Sequence, residues 1–506
     1  MLVEQFPVLV IVISLISAFT IFVAGWINKK LCWLISTVTI LLQLILASFI
    51  LYHVLTVGPI HYRLGGWMPP WGIEYVIDAL NAYVLIVVLS LSLLCAIYSK
   101  RSIEQELPHK IVPFYTVFQL LITGLCGIIV TGDIFNMYVF LEISSLAAYA
   151  LIASAGGRAL KASFVYLIMG SIGACFFLLG IGFLYATTGS LNIVDLPRLL
   201  QPLYGNRLVQ VAFVFFAVGL SIKIALFPLH TWQPDAYTFA PSAASAIIAA
   251  TMSKVSIYAL IRVIYSVFTL DFITSFVGVD IAICWIAALG IIAGSLLAIM
   301  QHNLKRMLAY SSVSQMGYIV LGIGLSPIST WGLIGALAHI SNHAIMKGCL
   351  FLAAGAFIYK YGLRDIRDFK GLGKKMPYTS AAFTIAAISM IGVPPSTGFV
   401  TKLFLIFASL QATDVFLDSA YIFVGVLLLS SLLNLVYFWR VIERMYFIKE
   451  EELDGGEREA EAPLSMLIPM LLLAVLCIFV GILWLTEIPL PLIGDTLSEL
   501  GAGVLP

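Results

Sequence analysis

Charge is scarce in this chain: only 10% of its 506 residues are Asp, Glu, Lys or Arg, while 61% are hydrophobic and the mean hydropathy is +1.06. A soluble domain carries about 25% charged residues, so a water-soluble globule is excluded. With 27 basic against 26 acidic residues there is no excess of positive charge for a phosphate backbone, and nucleic acid is not an expected partner. Cysteine is also sparse. The seven cysteines never form CxxC, which speaks against a disulfide framework and against iron–sulfur ligation. Walker A, Gly-rich dinucleotide and HExxH patterns are all missing, so neither nucleotide hydrolysis nor hydride transfer is expected. No cofactor is expected, and the chain is not expected to be an enzyme by itself; its energy must come from an ion gradient or from another subunit.

What is present is apolar sequence in long runs. Fourteen of them recur from 6–27 to 463–486, each long enough to cross a hydrocarbon core of about 30 Å as a helix. The first lacks a basic flank and a small-residue cleavage site and reads as a retained span rather than a signal peptide. Basic residues collect in cytoplasmic loops. With both termini outside, eighteen Lys and Arg fall in the loops after odd-numbered runs and three, Arg63, Arg198 and Arg207, after even-numbered runs. Arg262 and Arg440 lie toward helix ends, where long side chains can snorkel to headgroups.

Four lysines are deep in runs: Lys223, Lys254, Lys347 and Lys402. Each costs about 2.5 to 3.5 kcal/mol at mid-membrane on insertion scales and needs a partner or water. Glu142 alone among the carboxylates lies near the middle of a run. A lone buried lysine often only ties helices together. Several with an acid point instead to proton carriers, because burial disfavours the charged form of each.

The seventh run, 209–240, contains Ser-Ile-Lys-Ile-Ala-Leu-Phe-Pro, and Pro228 is expected to break it just after Lys223. The twelfth, 377–412, repeats the device with Pro394 and Pro395 before Lys402. Interrupted helices at membrane depth mark ion sites and line cavities. A related octet precedes each break, Gly-Ser-Leu-Asn-Ile-Val-Asp-Leu at 189–196 and Gly-Leu-Arg-Asp-Ile-Arg-Asp-Phe at 362–369. The copies are five runs apart, an odd number, so they face opposite sides. That spacing predicts two inverted five-helix repeats, 111–270 (helices 4 to 8) and 271–448 (helices 9 to 13). Helices 1 to 3 at 1–110, and an acidic cytoplasmic loop with helix 14 at 449–506, fall outside them. The expected fold is an all-α integral membrane protein of about 14 transmembrane helices with helices 7 and 12 discontinuous.

Polar residues at helical spacing suggest what joins the halves. His339, His343 and Lys347 share one stripe at i, i+4 and i+8. Tyr138, Glu142 and Tyr149 form another face, Thr251, Lys254 and Tyr258 a third, and Ser311, Ser314, Gln315 and Tyr318 could hold water. Zinc at the two histidines is disfavoured, since that stripe has no carboxylate.

These pieces together resemble the antiporter-like subunits shared by respiratory complex I, Mrp-type cation/proton antiporters and membrane-bound hydrogenases. The matching stretches are Phe-Leu-Glu at Glu142, the segment from Lys223 to Tyr237, Ser-Lys-Val at Lys254, His-Ile-Ser-Asn-His-Ala-Ile-Met-Lys from His339, and Gly-Phe-Val-Thr-Lys at Lys402. The resemblance implies that Glu142 pairs with Lys223, that Lys254 takes the proton near the centre, and that His339, His343 and Lys347 pass it toward Lys402. It also implies a multi-subunit complex in a prokaryotic cell membrane, with protons as the cargo, Na⁺ as a further candidate, and other membrane subunits and the lipid bilayer as partners. Residues 62–74 are similar to the D-type Mrp subunit and its hydrogenase counterpart; one complex I paralogue type has glutamate where Lys402 stands, and the long lateral helix of the largest paralogues is not expected. Alternative readings are a complex I proton-pumping subunit, a stand-alone carrier of a small solute, or a silent scaffold with a dry interior.

Overall fold

The computed structural model describes residues 3–275, 279–416, 418–448, 461–486 and 490–501. Most of the acidic loop expected at its C-terminal end, 449–460, lies outside the described residues. Twelve helices among them are long and apolar enough to cross a membrane. In chain order the principal helices are α1 (Phe6–Ile27), α2 (Lys29–Thr56), α3 (Ala79–Glu106), α4 (Ile111–Val130), α5 (Ile134–Ala153), α6 (Arg158–Thr188), α7 (Arg207–Lys223), α8 (Gln233–Phe239) and α9 (Ser242–Thr274). They continue with α10 (Val279–Ile299), α11 (Leu304–Leu325), α12 (Thr330–Tyr361), α13 (Pro377–Ile391), α14 (Thr397–Gln411), α15 (Asp418–Tyr446), α16 (Leu464–Trp484) and the short α17 (Leu490–Glu499). One hairpin departs from an all-helical chain: β1 (Ile60–Arg63) pairs antiparallel with β2 (Glu74–Ile77), Arg63 opposite Glu74. Alternating burial along β1 seats Ile60 inward, a pattern too short for hydropathy windows to register.

Local chemistry sets the helix starts. Asp78 accepts from Asn81 N at 3.1 Å while its own N–H donates to the Asn81 side chain, a capping box that opens α3. Asp133 caps α5 through Asn136 N at 2.7 Å, and Asn303 caps α11 through Arg306 N at 3.2 Å. The two octets meet these caps in the same way. Ile134 N donates to Leu191 O and Ile193 N to Gly132 O; Leu304 N donates to Arg364 O and Ile366 N to His302 O.

Two passages of chain are interrupted. α7 stops at Lys223, and residues 224–232 run as turns around Pro228 before α8. Ala225 there has φ +57°, a left-handed conformation that ends the helix. α13 stops at Ile391, Gly392 adopts φ +94°, and Pro394 and Pro395 precede α14. Trp232 Nε1 donates to Ile222 O at 2.9 Å, satisfying one of the carbonyls the first break releases.

The helices around the first break approach closely because glycines face each other. A Cβ on Gly219 would lie 2.6 Å from Gly173 O and 3.0 Å from Phe177 N. Small residues permit such contact between membrane helices. Gly219→Leu is therefore expected to force α6 and α7 apart, lowering stability by about 1 to 3 kcal/mol, read as an earlier thermal transition of the purified protein in detergent.

Three basic residues differ from expectation. Arg262 does not snorkel; it is buried and bonds Asp78, Asn81 and Tyr258. Arg440 donates to the carbonyls of Ile299 and Gln301 rather than reaching headgroups. Lys305, expected in a loop, is buried at the start of α11 and donates to Ala240 O at 3.0 Å and Ser245 Oγ at 3.2 Å. Partners from elsewhere in the chain offer each cation more than the headgroup region does.

Candidate functional site

The site begins where α7 ends. Lys223 is the last residue of that helix, its side chain 2% exposed, and its ammonium donates to Glu142 Oε1 at 3.1 Å and to Ser145 Oγ at 2.8 Å. Glu142 and Ser145 stand one turn apart on α5, so a single face of that helix holds both partners. The glutamate side chain is 25% exposed, so the pair has one edge at the surface of the chain. Tyr149, also on this face, packs edge-on against Tyr166, which stacks on Trp232 at 3.7 Å between ring centroids. Tyr138 is only partly buried.

Lys254 is fully buried on α9. A π-helical turn, Ile248–Met252, ends two residues before it, and its ammonium donates to the Ala249 carbonyl and, at 3.2 Å, to Ser253 Oγ. A π turn breaks the regular i to i−4 ladder, leaving a carbonyl free for a cation, and such turns favour functional positions. Thr251, placed on the same stripe by spacing, instead donates to Ile247 O of its own helix.

On α12, His339 and His343 stack in parallel, centroids 5.6 Å apart and planes at 2°. His339 Nδ1 lies 3.0 Å from Thr401 Oγ1, and its ring stacks on Tyr318 at 5.6 Å. Both nitrogens of His343, His339 Nε2, Tyr318 OH and Gln315 Nε2 are buried without a protein partner among the described residues. A buried polar atom costs free energy until something hydrogen-bonds to it, and a cluster with two to four polar neighbours is where water is held. Lys347, one turn further, donates to Leu308 O at 2.8 Å and to Ser311 Oγ. Ser314 does not join this group; it donates to Ile291 O at 2.9 Å and lies against Ser295.

Lys402 closes the series. Its ammonium donates to Met390 O at 3.2 Å, Ile391 O at 2.6 Å and Ser431 Oγ at 2.9 Å, and it lies 5.6 Å from the centre of the Tyr318 ring. Those carbonyls belong to the broken end of α13, where the helix dipole favours a cation. Gly392 makes the space: a Cβ there would sit 2.9 Å from Lys402 Cδ. The two breaks thus use their lysines differently, Lys223 before a break and paired with an acid, Lys402 after a break and held by backbone.

The seven residues singled out from the sequence are all buried or half-buried between helices, and Tyr318 links two of them, His339 and Lys402. Spacing did not reveal the cluster of Asp78, Asn81, Tyr258 and Arg262, since its helices lie 177 to 184 residues apart in the chain. Its local signals were the capping pattern Asp78-Ala-Leu-Asn81 and the place of Tyr258 on the stripe of Lys254. Among the described residues no group of three or more His, Cys, Asp or Glu side chains is placed to hold a metal ion.

A polytopic helical protein with interrupted membrane helices and buried Glu, Lys and His side chains has the build of an ion-translocating subunit. Residues 131–429 match the family described as NADH:quinone oxidoreductase/Mrp antiporter, transmembrane region, and the chain belongs to that family. It is 46% identical to the N subunit of the NADH-quinone oxidoreductase of Desulforudis audaxviator over 438 residues, covering 84% of this chain and 85% of that protein. It is 32% identical to the D-type subunit of the Na(+)/H(+) antiporter of Bacillus subtilis over 452 residues, 89% of this chain and 88% of that one. Among solved structures, a chain of the membrane-bound sulfane sulfur reductase, an archaeal respiratory membrane complex, superposes with a TM-score of 0.88 at 34% identity, covering 98% of each chain.

Proposed function

We propose that this chain is the proton-translocating subunit of a multi-subunit Mrp-type Na⁺/H⁺ antiporter or Mrp-related oxidoreductase complex in a prokaryotic cell membrane. Protons pass from the Glu142–Lys223 pair to Lys254, and His339, His343 and Lys347 carry them on toward Lys402; the chain has no redox or hydrolytic site of its own. The relatives named as antiporter and respiratory-complex subunits support a life among other membrane subunits. Na⁺ is a candidate for the same complex because one relative carries it in its name.

Taken as one discontinuous span each, the interrupted pairs α7 with α8 and α13 with α14 bring the total to fourteen, an even number that keeps both termini on one side, and the bias of Lys and Arg in the loops supports the outer side. The matched hydrogen bonds of the two octets support inverted repeats over 111–270 and 271–448, because Ile134 with Leu191 and Leu304 with Arg364 occupy equivalent positions. The segments 1–110 and 449–506 then flank that symmetrical unit.

The stacked pair His339 and His343 carries the reading, since its unpartnered nitrogens lie between lysines on the same helix and on α14. A neutral imidazole both donates and accepts, so it can take a proton on one nitrogen and release one from the other. His343→Phe keeps the stacked ring and removes both nitrogens. Proton flux in the reconstituted complex is expected to fall by about 10²-fold or more, with assembly unchanged; wild-type flux in this variant would end the relay assignment.

A further inference from the structure

One polar-lined recess of the structure has no place in the relay as described. It is a cavity of about 430 Å³ at the end of α9 that lies beyond Arg262, lined among others by Asp78, Asn81, Thr131, Arg262, Asp271 and Glu499. α9 connects it to the core. Tyr258, Arg262 and Ser266 follow Lys254 at i+4, i+8 and i+12, one stripe of the helix.

Hydrogen bonds join that stripe. Arg262 Nε donates to Tyr258 OH at 3.1 Å and Nη1 to Ser266 Oγ at 3.2 Å, while Nη2 bonds both Asp78 Oδ1 and Asn81 Oδ1. The Tyr258 hydroxyl donates to Ile129 O at 2.9 Å and also accepts from Asn81 Nδ2 at 2.9 Å. Its hydrogen and its lone pairs are all engaged, so no proton can cross this hydroxyl until Arg262 moves. The backbone is shaped for such a movement: Arg262–Phe268 forms a second π-helical segment, and Thr269 follows with φ +66°.

At the cavity wall the Glu499 carboxylate accepts from Ala79 N at 3.0 and 3.3 Å, beside Asp78 at the start of α3. Burial first, and then the negative charge of Asp78, push its carboxyl up to about 7; the Ala79 N–H and Arg262 pull it down, and Asp495 on its own helix adds to the rise. Its charge therefore changes at the pH of ordinary surroundings, neutral below about 7 and ionised above. Asp271 is the further acid on the cavity wall.

We infer that this cavity is the outer aqueous terminus of the proton relay, with the Asp78–Arg262 pair as its gate and Glu499 as the group that exchanges protons with solvent. The structure holds the gate closed. When the pair parts, Tyr258 is freed to accept a proton from the Lys254 side and to release its own toward Glu499, which returns to carboxylate on losing it to water. The inference rests on the relay proposed above, with Lys254 as the donor.

The test uses the assembled complex in proteoliposomes, with proton flux measured against pH on the cavity side at fixed pH on the other. Wild type is expected to show an inflection near the Glu499 value of about 7, and Glu499→Gln to lose it. Ser266→Cys, on the cavity wall, is expected to lose flux on treatment from that side with a membrane-impermeant cationic thiol reagent, with treated wild type as the background. An unchanged pH profile in Glu499→Gln, or undiminished flux in fully labelled Ser266→Cys, would overturn the port. The relay is judged separately: if Glu142→Gln abolishes flux while these two variants behave as wild type, only the port is wrong, and if Glu142→Gln is also without effect the relay itself fails.

Discussion

Glu142→Gln in the assembled complex is expected to abolish proton-coupled transport, a loss of about 10²-fold or more, while the complex still forms. The glutamine keeps the size of the side chain and an oxygen for the hydrogen bond that now measures 3.1 Å from Lys223 Nζ. It removes the counter-charge. Lys223, 2% exposed, is then a buried ammonium facing Ser145 and an amide. Leaving one partner of a buried pair unpaired costs about 3 to 5 kcal/mol, so the lysine sheds its proton or turns away, and either response disables a switch that works by making and breaking this pair. Lys223→Arg sharpens the test. Arginine keeps the positive charge beside Glu142 but does not release a proton in proteins. Transport should fail in that variant as fully as in Glu142→Gln. If Lys223→Arg transports normally, as measured by dye-reported proton uptake into vesicles, the pair is a structural tie and the relay does not begin there.

Lys402→Met should be nearly as severe. Methionine fills much the same length beside Tyr318 but offers no proton site, and it leaves the carbonyls of Met390 and Ile391 without the ammonium that now satisfies them. Gly392→Ala approaches the same group from outside. An added Cβ would meet Lys402 Cδ at 2.9 Å in a backbone with φ +94°, so the lysine must shift and the turn is strained. The alanine variant is expected to fold, to lose about 1 kcal/mol or more of stability, and to transport more slowly than wild type with Lys402 still present. Proton flux for both variants, set beside thermal stability for each, separates the effects. Full activity in Lys402→Met would show that Lys402 is not on the proton path.

The parts of this site that were readable along the chain share one property: they depend on neighbours in sequence. Pro228, Pro394 and Pro395 lack the amide hydrogen a helix needs, and α7 and α13 end close before them. His339, His343 and Lys347 share a stripe because 3.6 residues make a turn, and the stacked imidazoles bear that out. Spacing was less informative where side chains had competing partners. Thr251 and Ser314 stood on the right faces yet bond backbone carbonyls, Thr251 the one four residues back in its own helix and Ser314 that of Ile291 on the neighbouring α10.

Hydropathy and proline placement were enough to establish a membrane protein of many helices with broken passages, since transfer from water and the loss of an amide hydrogen act on each segment alone. Pairing is another matter. Arg262 meets Asp78 across 184 residues, Lys223 meets Glu142 across 81, and Glu499 reaches the start of α3 across 420. Which acid a buried cation finds depends on how helices pack in three dimensions, and only the folded chain settles whether an arginine near a helix end reaches for headgroups or closes a cavity.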